Sequence, residues 1–389
     1  MLLAAVTLTG FGKVVTFLVM LSVLVILHEL GHFIVARRNG VHVNEFSVGM
    51  GPKIFAWKSP RTGTQYSLRA LPIGGYCAMY GEDAKAGEAE QQREYREHHA
   101  PGPQPADDAN FQAKTPWQRL GIIVAGPLAN FILAYVILLF GALTFGVPST
   151  NTQPVVGDVA QGSPAALHGL KPGDRIVAVN GVAISNGDEL MNSIHNALGR
   201  NVTVDYLRNG LRYEFDTQPV PCSSIKSAGP IQPQIRSKGC IGFAPFPAYA
   251  RVGVGAAFVA SVNEYAYVAD NVVGGIGLLV THFTQYSSQI SGPVGIGQAA
   301  TTIQDFGPGP YLSLAATISF ALGIFNLLPI PALDGGRAAF LIVEIIRGKP
   351  IDPEREGMVH LAGFAVILMI LIVVTFHDIS RIASGQGVF

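Results

Sequence analysis

Long apolar runs and short polar stretches alternate along the chain, and four of the runs exceed the roughly 20 helical residues needed to cross a bilayer core. They cover Phe11–Ala36, Leu120–Val147, Tyr311–Ile346 and Met358–Phe376. The first is interrupted by His28-Glu29-Leu30-Gly31-His32, and the third by Pro329, Pro331 and Asp334. A fifth stretch, Val252–Val280, is also apolar, but Asn263, Glu264, Asp270 and Asn271 recur along it. Polar residues at that frequency predict an amphipathic helix lying on a membrane face. Between the first two runs, Val41–Tyr80 reads as short strands (Phe46–Val48, Ile54–Trp57, Gln65–Leu68) parted by Gly, Pro and Ser turns. The expected fold is therefore a polytopic α-helical membrane protein with four transmembrane helices, a membrane-associated β-sheet and one extracytoplasmic α+β domain.

Charge changes this picture in two ways. Lys and Arg total 26 against 26 Asp and Glu, and charged residues are only 13% of 389, which excludes a nucleic-acid binder held by bulk positive charge and a disordered chain. Arg37, Arg38, Lys53, Lys58, Arg61 and Arg69 follow the first run, and Arg347, Lys349 and Arg355 follow the third. Positive-inside logic puts both loops in the cytoplasm, the N-terminus outside and the region between the second and third runs outside. The first run lacks a small-residue cleavage site ahead of a polar mature domain, so it is read as an uncleaved span.

Ionisable groups at bilayer depth are costly and mark function. His28 and His32 stand four residues apart, on one helix face, where two imidazoles can grip one metal ion. Zinc suits nitrogen ligands and keeps one position open in a catalytic site. Glu29 is placed to take a proton from a water there. A third protein ligand is required, and Asp334 supplies a carboxylate beyond two prolines in apolar sequence. His28 lies about 18 residues from the outer end of its run, or ~27 Å, and Asp334 sits at a comparable depth if the third run also points inward. That agreement fails if Val252–Val280 crosses the membrane.

These residues resemble the site-2 protease family of intramembrane zinc metalloproteases, in the branch of the regulator of sigma-E protease. The resemblance rests on His28–His32, Asn44–Pro52, Pro72–Tyr76, Gly126-Pro-Leu-Ala-Asn130 and Asn326–Gly336, in family order across most of the chain. It implies that His28, His32 and Asp334 are Zn2+ ligands, that Glu29 is the catalytic base, and that Asn130 and Asn326 hold the substrate backbone. It also implies a zinc-dependent endopeptidase cleaving the transmembrane segments of single-span membrane proteins, such as anti-sigma factors or signal-peptide remnants, in the lipid bilayer of a bacterial inner membrane. Arg337 stands where many relatives carry histidine. Pro154–Pro219, marked by Gly169-Leu-Lys-Pro-Gly-Asp-Arg-Ile-Val-Ala-Val-Asn-Gly181, resembles a single PDZ domain, which could take a peptide ligand by strand addition or could exclude substrates with large outer domains.

The expected organisation is residues 1–81 for the first helix and sheet, 82–116 for a solvated cytoplasmic insert and 117–149 for the second helix. The PDZ-like domain follows at 150–220, an extracytoplasmic loop and surface helix at 221–310, and the last two transmembrane helices at 311–389. The sheet beside the metal helix suggests that a substrate could be held as an added strand. Cys222 and Cys240 both fall in the outer region and are expected to form a disulfide, with Cys77 a free structural thiol inside. His42, His98, His99, His168, His195, His282, His360 and His377 lack ligand spacing, and no role is assigned to them. Two rival classes remain: a membrane-tethered PDZ scaffold whose metal site is vestigial or structural, and a transporter, which would need polar residues along several spans rather than two.

Overall fold

A computed structural model describes residues 10–82, 107–149, 154–225, 237–246, 248–286, 290–349, 351 and 353–383. The expected insert at 82–116 falls largely outside these residues, as do His98 and His99. The chain opens with α1 (Gly10–Arg38), β1 (Val43–Lys58), β2 (Gln65–Met79) and α2 (Pro116–Thr144). Next come β3 (Val147–Ser149), β4 (Val155–Val159), α3 (Pro164–Leu167), β5 (Arg175–Val179), β6 (Val182–Ala183), α4 (Gly187–His195), β7 (Val202–Arg208) and β8 (Leu211–Thr217). Short strands β9 (Val220–Pro221), β10 (Gly239–Cys240), β11 (Phe243–Phe246) and β12 (Ala248–Ala250) lead to α5 (Val254–Thr281), α6 (Phe283–Tyr286) and α7 (Pro293–Ile303). The chain ends with α8 (Pro308–Leu327), α9 (Asp334–Arg347) and α10 (Pro353–Ala383).

Among the described residues, α1, α2, α8 and α10 are long and apolar enough to cross a membrane. Their ends follow local chemistry. Thr115 and Gln118 form a capping box ahead of Pro116 at the start of α2, so the orphan N–H groups of its first turn are met. Arg37 and Arg38 close α1, where cations suit the negative end of the helix dipole. Helix α8 stops before Pro329, which bars its preceding residue from helical geometry. The apolar run Tyr311–Ile346 is thus not one interrupted span. It is a 20-residue helix, a turn over 328–333, and a separate 14-residue helix that ends on Gly348 in the left-handed conformation.

Helix α2 is the hub, packing against α1, α5, α8 and α9. Close approach depends on small residues: a Cβ on Gly31 would meet the Ala125 carbonyl oxygen at 2.3 Å, and one on Gly323 would meet the Phe131 ring at 2.8 Å. A helix forms over most of the Val252–Val280 stretch as α5 and lays Val268 and Tyr265 against Ala134, Leu138 and Phe320 of α2 and α8. At the other edge, the buried carboxylate of Asp378 on α10 accepts from Gly292 N–H (3.2 Å) and Gly295 N–H (2.7 Å), capping α7. Helix α7 in turn packs on α1.

The strands between α1 and α2 form one sheet. Residues 43–48 pair with 75–79 on one side and with 65–68 on the other, and 53–58 pair with 65–69, so four segments lie side by side with 75–79 at one edge. Glu45, buried in this sheet, accepts from Ser67 (2.5 Å) and Arg69 (3.0 Å) and pairs with Lys53 (3.1 Å). Burial alone would raise its pKa, but those hydrogen bonds outweigh it and hold the carboxyl down at about 2.

The domain after α2 is a six-stranded sheet in the order β11-β4-β5-β7-β8, with β6 on β5, around a core of Val156, Ile176, Leu190, Val202, Val204 and Ile241. Asn209 and Gly210, both at positive φ, make the tight turn between β7 and β8 that the Asn-Gly pair predicts. Its sheet recruits β11, so it extends past the expected limit at residue 220. Cys222 and Cys240 are joined in a disulfide, as expected, and Cys77 is free and buried.

Candidate metal centre

Helical periodicity stacks His28 over His32 on α1, their rings edge to face with centroids 4.8 Å apart. Both are buried. Their Nε2 atoms are 3.2 Å apart, and Asp334 Oδ2, from the first turn of α9, lies 3.1 Å from His28 Nε2 and 3.3 Å from His32 Nε2. Asp334 Oδ2 is buried without a hydrogen-bond partner. Four ligands held tetrahedrally at 2.0–2.1 Å are about 3.3–3.4 Å apart. The triangle of two nitrogens and one carboxylate oxygen therefore has close to the dimensions of one face of a zinc tetrahedron, and the donor types are those zinc takes.

The far side of each ring fixes its tautomer. His32 Nδ1 donates to the Ile122 carbonyl oxygen at 2.8 Å, which leaves Nε2 bare toward the triangle. The fully buried Asn130 places its amide nitrogen, Nδ2, 3.2 Å from His28 Nδ1, a position that a half-turn of the amide gives to Oδ1 instead. With Nε2 turned to the triangle, Nδ1 carries the hydrogen, and the amide oxygen is the matching acceptor. The opposite setting, nitrogen against Nδ1, leaves Asn130 Oδ1 buried with no partner. Both imidazoles thus present lone pairs to the same point, and Asn130 is held in turn by Ser319, whose hydroxyl donates to its backbone oxygen at 2.9 Å.

Glycines let these groups meet. A Cβ on Gly126 would fall 2.2 Å from His32 Nε2, so the Gly126–Asn130 motif on α2 is bare where the ring lies and polar one turn later. On α9, a Cβ on Gly335 would strike the Leu328 oxygen at 2.1 Å and one on Gly336 the Ile330 oxygen at 2.5 Å, so the pair after Asp334 seats that helix on the preceding turn. Glu29, next to His28, shares the electrostatic surroundings of His28, His32 and Asp334. The edge segment of the sheet comes close to it: a Cβ on Gly75 would sit 3.9 Å from Glu29 Cγ. Cys77, also on that edge, is pushed up by burial, with Glu29 and Glu82 adding to the effect, and stays a neutral thiol.

The structure brings His28, His32, Asp334 and Asn130 together. It leaves Asn326 half-buried on the last turn of α8, its side chain without a hydrogen bond among the described residues. Arg337, one turn beyond Asp334, pairs with Glu82 at the end of the sheet. A second group of metal-binding residue types, His195 with Cys222 and Cys240, is excluded because the two sulfurs are bonded to each other. Sequence reasoning assigned nothing to Gly126 beyond its place in a motif, and nothing to the Ile122 carbonyl, for which no side-chain signal exists.

A His-Glu-x-x-His helix completed by a carboxylate from another helix, with one position left for substrate, is the donor set of a zinc metalloprotease. The chain belongs to Peptidase family M50, whose sequence pattern matches residues 16–370, and is a zinc metalloprotease of the site-2 type. It is similar to zinc metalloprotease RasP of Bacillus licheniformis (33% identity, covering 95% of this chain and 99% of that one). The regulator of sigma-W protease RasP of Bacillus subtilis shares 31% identity over 95% and 99% of the two chains. The probable protease eep of Enterococcus faecalis shares 29% over 95% and 99%. Among solved structures, a PDZ domain of an SdrC-like protein from Listeria monocytogenes covers 25% of this chain and 93% of its own, at 24% identity and a TM-score of 0.20.

Proposed function

We propose that the protein is an intramembrane endopeptidase that cleaves the transmembrane segments of single-span membrane proteins. The observation that carries this is the triangle of His28, His32 and Asp334, with edges of 3.1–3.3 Å, set among helices long enough and apolar enough to cross a membrane. In this reading the three residues hold zinc, which when bound supplies Lewis acidity to polarise a peptide carbonyl. Glu29 takes the proton of the attacking water and delivers it to the departing amine. Asn130 and the Ile122 carbonyl keep both imidazoles in the ligating tautomer, so Asn130 acts through His28 rather than on the substrate backbone. Asn326, at the end of α8, is the residue left to meet the substrate.

Peptide hydrolysis needs an unwound segment, because the carbonyls of a helix are already hydrogen-bonded. The 75–79 edge beside Glu29 is where such a segment would add as a strand. The proposed orientation puts the N-terminus and the PDZ-like domain outside a bacterial inner membrane and the basic loop after α1 inside. The disulfide in the outer region suits that arrangement, since disulfides persist on the oxidising side. The PDZ-like domain either captures a peptide end or excludes bulky substrates; replacing it with an inert domain leaves selectivity unchanged only if both are wrong.

The test of the main reading is Glu29→Gln in the full chain. The variant should retain zinc and fold while losing about 10²–10⁴-fold in cleavage of a truncated single-span substrate. Undiminished cleavage would remove Glu29 from the chemistry, and zinc-free wild-type protein with full activity would remove the metal. Helix-breaking residues in the substrate span should raise cleavage, and equal rates for rigid and breakable spans would count against strand addition.

A further inference from the structure

The turn that carries Asp334 to the imidazoles is short of internal support. Pro329 and Pro331 contribute no N–H, and Ala332, a non-glycine residue, adopts φ 78° two residues before Asp334. Left-handed backbone is unfavourable for alanine and persists only where surroundings hold it. The turn makes two bonds of its own beyond its junction with α9, Ile330 N–H to Leu328 O (2.6 Å) and Leu333 N–H to Ile330 O (3.2 Å). The Ala332 N–H points away from both and donates to His360 Nδ1 on α10 at 2.8 Å. One turn further along α10, Gly363 lies bare against Pro331, where a Cβ would come within 2.4 Å of the proline Cβ. The His360 ring also packs on Phe340 of α9, with centroids 5.5 Å apart. With Nδ1 accepting, Nε2 carries the hydrogen and faces Glu356 Oε1 at 3.8 Å.

We propose that His360 is a positioning residue for the metal centre: by accepting the Ala332 N–H it pins the left-handed turn and so sets where Asp334 stands relative to His28 and His32. The assignment rests on the reading of those three residues as zinc ligands. The coupling is steric, because Gly335 and Gly336 sit directly on the carbonyls of the turn. If the turn relaxes, the start of α9 moves with it and Asp334 Oδ2 leaves the triangle. Histidine fits the task through one lone pair at Nδ1, which the amide oxygen of asparagine can place similarly and leucine cannot.

The experiment uses the full chain in detergent micelles in the Glu29→Gln background, with zinc affinity read by chelator competition and ligand geometry by the visible absorption of the cobalt(II)-substituted protein. Adding His360→Leu should weaken zinc binding about 10–100-fold and lower the cobalt absorption. His360→Asn should restore most of both. Ala332→Gly combined with His360→Leu should recover part of the loss, because glycine takes positive φ without help. Parent-like affinity and an unchanged cobalt spectrum in folded His360→Leu protein would overturn the proposal. So would folded His360→Asn protein that binds as weakly as His360→Leu. If His360→Leu fails to fold, His360→Asn and the double variant carry the measurement. A parent that binds no zinc, or a His28→Ala control that binds it equally well, would instead overturn the metal-centre reading, and the proposal with it.

Discussion

Replacing Gly126 with alanine isolates the packing of one imidazole from its chemistry. The new Cβ would lie 2.2 Å from His32 Nε2, 2.6 Å from Cε1 and 2.8 Å from Cδ2, so the whole inner edge of the ring is struck. Ordinary contact begins at 3.4 Å, and the ring must therefore retreat by about 1.2 Å. A metal bond of about 2.1 Å does not survive displacement on that scale. Neither can the ring escape by tilting, because Nδ1 is fixed on the Ile122 oxygen. Zinc affinity should fall at least about 100-fold, or about 3 kcal/mol, and cleavage should fall with it. Gly121→Ala is the matched control on the same helix. A Cβ there meets nothing within 4 Å, and alanine in a helix should add about 0.5–1 kcal/mol of stability. Zinc retained through graded chelator dialysis, thermal unfolding in detergent and substrate cleavage are measured for both. Gly126→Ala protein with wild-type zinc affinity and activity would refute the placement of the His32 ring against α2.

Asn130→Leu fills the same volume but offers His28 Nδ1 no acceptor, and should cost about 10–100-fold in zinc affinity; Asn130→Asp, which keeps an acceptor, should cost much less, and equal losses would deny the tautomer argument. Glu45 has its pKa depressed from 4.5 to about 2, so its contribution to the sheet is fully present above pH 4.5 and is lost as pH falls toward 2. Trp57 fluorescence in a Trp117→Phe background should follow that loss, and Glu45→Gln should abolish the response in that window; a response unchanged by the substitution would assign it elsewhere. Converting Cys222 and Cys240 to serine should destabilise the six-stranded domain by about 3 kcal/mol, from the loop entropy of their 18-residue separation; an unchanged urea midpoint would show that the bridge restrains nothing.

The chemistry was more legible in the sequence than the route by which it assembles. His28, Glu29 and His32 could be read directly, since four-residue spacing on a helix settles which groups share a face, and an ionisable group in apolar sequence stands out. Asp334 was legible for the same reason. The break of Tyr311–Ile346 into two helices was only half visible: the prolines announced an interruption, but apolar residues on both sides hid the change from a span to a shorter helix seated on its own turn. Helix α5 was expected, and its bed on α2 and α8 was not, because helix–helix contact leaves no mark stronger than small and aromatic residues. The joining of β11 to β4 spans more than 80 residues, and no local pattern reports such a pairing. Asn130 was recognisable as functional through its motif, yet its contact with His28 depends on how α1 and α2 cross. His360 carried no signal, because what it accepts is a backbone N–H.

Helix α10 is moored at two places, His360 near one end and Asp378 near the other, which are residues 360 and 378 and so about 27 Å apart along the axis. Between them Leu361, Phe364, Val366, Met369, Ile372 and Val373 all face outward. Exchanging one of these for another greasy residue should therefore cost little, whereas deleting a single residue would turn the far mooring about 100° away from the glycines it clasps. The demand on this helix is for a count rather than a spelling.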